Sequence, residues 1–98
     1  MSNDQQVTEN NIQELYDQGR RDFSNISLIG ANLNGIDLSG ANLNGVNFSH
    51  ASLCVANLSR TDLQKANLSG ADLRGIDLSH ANLSHADLRG ADLSPFQE

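Results

Sequence analysis

Ala41-Asn42-Leu43-Asn44-Gly45 and Ala71-Asp72-Leu73-Arg74-Gly75 are one five-residue word written twice. Outward from either copy, leucine or phenylalanine returns at every fifth position from Phe23 to Leu93, fifteen times without a slip. On an α-helix, five steps turn a side chain by roughly 140°, so the leucines would spiral over every face. On a flat strand an odd period sends successive leucines to opposite sides. Glycines at 30, 35, 40, 45, 70, 75 and 90 would also each cost a continuous helix about 1 kcal/mol. A chain that bends after every word keeps all its leucines inside, and a fixed internal period is the mark of a solenoid.

The columns of the word follow from that bend. Two places before the leucine stand Ala nine times, Ile three times (Ile26, Ile36, Ile76), and Val46, Thr61 and Arg21. These side chains share the leucine's face of a short extended segment, so the interior pairs a large residue with a small one. One place before the leucine is Asp or Asn in thirteen of fifteen words, Ser27 and Ser52 being the exceptions. That position and the two after the leucine face water or form the corner. Glycine in the second place after the leucine suits a corner with φ > 0, where Asn, Asp and Ser can bond nearby backbone groups.

The word A-[DN]-L-x-x over residues 21–95 resembles the pentapeptide-repeat family, abundant in cyanobacteria. The resemblance implies an all-β solenoid: a right-handed quadrilateral β-helix with four words to each square coil and residues twenty apart in register. Fifteen words then make just under four coils, a rod on the order of 18 Å long at about 4.8 Å per coil. It also implies a binding or scaffold role, and some members of the family mimic duplex DNA and bind type II topoisomerases such as gyrase.

Residues 1–7 are polar and expected to be disordered, and residues 8–20 to form a helix that covers the first coil. Thr8 is the expected N-cap, Val7 and Ile12 have the spacing of a hydrophobic staple, and Gly19-Arg20 reads as the stop. Arg21, in an inward column that cannot hold an unpaired charge, marks the junction. Ile29, apolar at an outward position, is expected to lie under that helix. Residues 96–98 form a short tail. Leu93 and Phe96 are candidates for end-to-end contact with a second copy or a second repeat protein, because an open coil end exposes unpaired backbone groups. A Phe96 folded over the last coil is the alternative.

Composition limits what else the chain can do. Ninety-eight residues with a net charge of −6 and one cysteine allow one domain and no internal disulfide. No apolar run approaches a membrane span, and the first twenty residues lack the core of a secretory signal, so a cytoplasmic setting is expected. His50, His80 and His85 fall on three different corners, so no shared metal site is expected, and no cofactor. Serine, histidine and aspartate are plentiful, but a nucleophile needs a base within reach inside a pocket, and convex rod faces supply none. Catalysis is therefore not expected. Cys54 and Val55 occupy outward positions, and Cys54 has no basic neighbour beside it in sequence.

The seven acids of residues 21–95 all stand immediately before the leucine. Stacking by twenty places Asp72 beneath Asp92, and Asp37 and Asp77 on either side of Asn57, which makes these four the candidate partner-binding face. Five bases in the same span leave a net of only −2. A DNA mimic of this length needs roughly ten unopposed charges, since duplex DNA presents about one per 1.7 Å. Without a basic patch or aromatic platform, direct nucleic-acid binding is not expected either. The preferred expectation is a non-catalytic protein-binding or scaffold module for an unknown partner, with a topoisomerase-directed DNA mimic as the alternative.

Overall fold

Each word contributes one bridge residue, and every bridge joins residues twenty apart in parallel, from Asp22↔Asn42 to Asp72↔Asp92. In the computed structural model, which describes residues 6–97, four words therefore complete one square coil. The bonds within one bridge show the pattern: Asn42 N–H donates to the Arg21 carbonyl at 2.8 Å, and Phe23 N–H to the Asn42 carbonyl at 2.9 Å. Between one bridge and the next corner there is no room for a longer strand. The solenoid is thus built from single-residue bridges, a finer grain than the β-strands implied by the resemblance.

Four faces result. Face 1 carries Asp22, Asn42, Asp62 and Asn82; face 2 Ser27, Asn47, Asn67 and Asp87; face 3 Asn32, Ser52, Asp72 and Asp92; face 4 Asp37, Asn57 and Asp77. At the corners the leucine carbonyl accepts the N–H three residues on, as from Ala71 to Leu68 at 3.1 Å, and the residue between has positive φ. Glycine serves this geometry best. At Gly70 (φ +66) it does more, because a Cβ there would lie 2.6 Å from the His50 ring of the coil below.

The leucines and phenylalanines from Phe23 to Leu73 are buried, with Ala31, Ile36, Ala41, Val46, Ala51, Ala56, Ala66 and Ala71 filling the space between them. Thr61 occupies the same inner column, and its hydroxyl donates to the Leu58 carbonyl at 2.7 Å, so the buried polar atom is satisfied.

Among the described residues one helix, α1 (Ile12–Asp17), covers the N-terminal side of the rod. It is shorter than the expected 8–20. Thr8 organises a turn ahead of it, its carbonyl accepting Asn11 N–H at 3.2 Å and Ile12 N–H at 3.0 Å, so regular helix begins only after Asn11. The stop is as read: Gly19 (φ +107) donates to the Tyr16 carbonyl and Arg20 to the Leu15 carbonyl, the paired bonds of a Schellman ending. Ile12 and Leu15 join the rod's core. Of the segment 1–7 expected to be disordered, residues 1–5 lie outside the described residues. Val7 packs half-buried against the core, and the Gln6 carbonyl accepts the Asn11 side-chain amide at 2.8 Å. Arg21 is solvent-exposed in spite of its column. Its guanidinium lies 3.7 Å from the Tyr16 ring centroid and donates to the Tyr16 carbonyl at 2.8 Å.

Ile29 corrects an expectation. It is 59% exposed, because α1 anchors on face 4 instead: Gln13 bonds Asp37, and Tyr16 bonds Ser39. At the other end the core thins. Leu78, Leu83 and Leu88 are half-buried and Leu93 is 53% exposed. Among the described residues, the amides of these four leucines donate to no acceptor. Phe96 does not fold over this end. It rests at the Gly75 corner, with the Arg74 guanidinium 5.7 Å from its ring centroid and 45% of its surface exposed.

Candidate functional site

The outward Asp and Asn side chains are first of all parts of their own turns. In all thirteen words that have one, an Oδ1 accepts the backbone N–H two residues on, at 3.3 Å or less. This is the Asx-turn, and it fixes each side chain against the corner. Where a serine follows, its hydroxyl often adds a second bond to the same oxygen, as at Ser69–Asn67 (2.6 Å) and Ser79–Asp77 (2.6 Å). The sequence reading has Asn, Asp and Ser bonding backbone groups at the corner, and the structure puts that acceptor one place before the leucine in each of these words.

The four candidate aspartates lie where the stacking placed them. Asp72 and Asp92 form one bridge on face 3, and Asp37 and Asp77 flank Asn57 on face 4. Their surroundings differ. Arg74 donates Nε to Asp72 Oδ1 at 2.8 Å and Nη2 to Oδ2 at 2.7 Å, so this carboxylate faces the surface already paired. The Arg74 guanidinium, followed by Cys54, holds its pKa far below the usual 3.8. The Ser79 hydroxyl and N–H lower Asp77, and those of Ser94 lower Asp92. Asp87 on face 2 is likewise paired to Arg89 at 2.8 Å, which takes it down to about 2. On faces 1 and 4 acids alternate with amides, so among the described residues like charges sit one above another only at Asp72 and Asp92. Leu93 and Phe96, the candidate end contacts, are both exposed but point to different places, the open coil end and the Gly75 corner.

Cys54 departs from its reading as an outward residue. It is 4% exposed, with Arg74 Nη2 3.7 Å from its sulfur. Its word has Ser52 where an Asx normally stands, and the Cys54 N–H takes the Asn34 Oδ1 of the coil below at 2.9 Å instead. Val55 beside it is half exposed and holds φ +54, a conformation β-branched residues rarely adopt. Among the described residues no three His, Cys, Asp or Glu side chains gather to hold a metal ion, and no helix is long and apolar enough to cross a membrane.

The arrangement has relatives. The family described as pentapeptide repeats matches in eight copies over residues 22–54 and 56–94. The structure of alr5209, a pentapeptide repeat protein from Nostoc PCC 7120, is 40% identical over 91% of this chain and 78% of its own, with a TM-score of 0.52. That of QnrB1, a plasmid-mediated fluoroquinolone resistance protein, is 25% identical over 71% of this chain and 38% of its own, with a TM-score of 0.60. HetL, a pentapeptide repeat protein involved in heterocyst differentiation regulation in Nostoc sp. strain PCC 7120, is 33% identical over 74% of this chain and 40% of its own, with a TM-score of 0.45. The chain thus spans about two fifths of the length of HetL and of QnrB1. No curated protein matches it. The repeat word, its twenty-residue register and the eight matched copies lead to one conclusion: this chain belongs to the pentapeptide-repeat family.

Proposed function

We propose that the rod, wound as a right-handed square β-helix, is a non-catalytic protein-binding module working in a reducing, cytoplasmic setting. The observation that carries this reading is the clamping of all thirteen outward Asp and Asn side chains by their own backbone. A partner meets polar groups already fixed in place, so little side-chain freedom is lost on contact. The candidate contact surface is face 4 with Asp37 and Asp77, and the neighbouring Asp72 and Asp92 of face 3. The open last coil, with Leu93 and Phe96, is the candidate seat for a second copy or a second repeat protein. The test uses the full chain as bait beside D37N/D77N, which keeps the turn acceptors and removes the charge. A partner retained equally by both would show that the charges of Asp37 and Asp77 carry no part of the contact. Sedimentation of the chain at rising concentration tests the end contact, and a persistent monomer would exclude self-association.

A DNA mimic directed at a type II topoisomerase is the second reading, favoured by the likeness to QnrB1 over 71% of this chain. Two of the rod's carboxylates are tied up by Arg74 and Arg89, which weakens the field such mimicry needs. A supercoiling assay decides: inhibition by micromolar protein supports the mimic, and unchanged supercoiling removes it.

A further inference from the structure

Four of the six Lys and Arg side chains are engaged within the chain. Arg20 donates to the Asp22 carbonyl, Arg21 to the Tyr16 carbonyl, Arg74 to Asp72 and Arg89 to Asp87. Arg60 and Lys65 are solvent-exposed and bond to no side chain among the described residues. They stand at the two corners that border face 1. One coil higher, His80 continues the Arg60 column and His85 the Lys65 column, as the Arg60 N–H to Ser79 carbonyl (2.9 Å) and Lys65 N–H to Ser84 carbonyl (3.0 Å) bonds show. Both imidazoles are exposed.

All four residues hold φ between 61° and 63°. Glycine occupies half of the corners and fits that geometry without cost, so a basic side chain there is kept against the backbone's preference. Between the two columns lies the Asp62↔Asn82 bridge. The Asp62 carboxylate already accepts the Gln64 N–H at 3.0 Å and the Gln64 side-chain amide at 3.1 Å. Asn82 Nδ2 donates to nothing among the described residues.

We propose that the upper half of face 1, framed by Arg60, Lys65, His80 and His85, docks an acidic segment of a partner protein. The columns offer carboxylates two free cations and two imidazoles, of which His80 stands near Asp77 of its own word, and Asn82 offers an amide donor to the partner's backbone. A duplex nucleic acid fits less well. A rigid duplex would extend past the frame onto a rod whose seven aspartates outnumber its five bases in residues 21–95, whereas a short acidic segment need meet the frame alone; the Asp62 carboxylate at its centre opposes either ligand. The proposal rests on the reading of the rod as a binding module and names one partner chemistry for it.

The test titrates the full chain with an eight-residue oligoglutamate at low salt, following amide shifts and heat. Shifts should centre on residues 60–65 and 80–85. R60G/K65G should weaken binding at least tenfold while melting no lower than the parent, because glycine relieves both corners. R89Q, which removes a paired arginine from face 2, should change binding less than twofold. Absence of binding, equal loss in R89Q, or tighter binding of a DNA duplex than of the peptide would each overturn the proposal. If oligoglutamate fails while the bait still retains a partner, this docking face falls and the module reading stands.

Discussion

Gln13 stands in for the missing coil beneath Asp37. Its Oε1 accepts the Asp37 N–H at 2.8 Å and its Nε2 donates to the Asp37 carbonyl at 3.0 Å, the two bonds a lower coil would otherwise supply. Tyr16 completes the edge by donating its hydroxyl to the Ser39 carbonyl at 2.6 Å. Replacing Gln13 by Ala reopens both groups, at a cost of about 1–2 kcal/mol for two neutral hydrogen bonds. Tyr16→Phe should cost about 1 kcal/mol. Urea denaturation gives both values, and hydrogen exchange at the Asp37 amide should accelerate in the Gln13 variant. An unchanged exchange rate there would show that α1 does not hold this edge.

Asn34 and Ser52 should be energetically coupled. Asn34→Ala deprives the Cys54 N–H of its acceptor in a residue that is 4% exposed, a loss of about 1–3 kcal/mol. Ser52→Asn restores the Asx found in thirteen other words, so it should rescue much of that loss in the Asn34→Ala background and add little alone. A double-mutant cycle without coupling would contradict the shared role.

Val55→Gly should raise stability by about 1 kcal/mol, since an L-residue pays roughly 1–2 kcal/mol in the left-handed region and a little Val55 packing is lost in exchange. Gly75→Ala should do the reverse: φ is +70, and the added Cβ would sit 2.9 Å from Phe96 Cβ. Thermal melts of the two variants should therefore move in opposite directions.

Acid should unfold the rod through its turn carboxylates. Asp87 falls to about 2 beside Arg89, and Asp22, Asp62, Asp77 and Asp92 are also lowered from 3.8 by hydrogen bonds within their own words. A folded-state value below the unfolded one gives stability that is complete above pH 3.8 and vanishes as pH drops through the folded value. The urea midpoint should be level from about pH 7 to about 5 and decline below about 4. Asp87→Asn should flatten part of that decline. A midpoint that rises on acidification would invert the sign of this linkage.

The leucine period was enough to put every leucine on the inside, because only a bend at fixed intervals keeps them there. The twenty-residue register followed from the resemblance, and the bridges Asp37↔Asn57↔Asp77 realise it. The destination of α1 was not legible. Ile12, Leu15 and Tyr16 define its buried stripe but not the direction in which it crosses the coil, which is set by Gln13 meeting Asp37 from 24 residues away. Ile29 was misplaced for that reason. The outward aspartates were legible as a column and as residues able to bond the backbone, but not as acceptors of one particular N–H. That role depends on the N–H two residues on pointing back at them, which is a property of the corner's φ and ψ. Cys54 shows a different limit: counting by twenty sets Arg74 in the coil above it, but its burial follows from the Asn34 and Arg74 side chains closing over it.

The corner columns also turn the chain into something like a combination lock. Inserting twenty residues anywhere in the rod would lengthen it and leave every dial aligned. Five inserted residues would keep the leucines packed yet swing the upper part through a quarter revolution, lifting His80 away from Arg60 and setting acids over acids. Length variation in such a chain is therefore cheap for folding in steps of one word, but cheap for recognition only in steps of four.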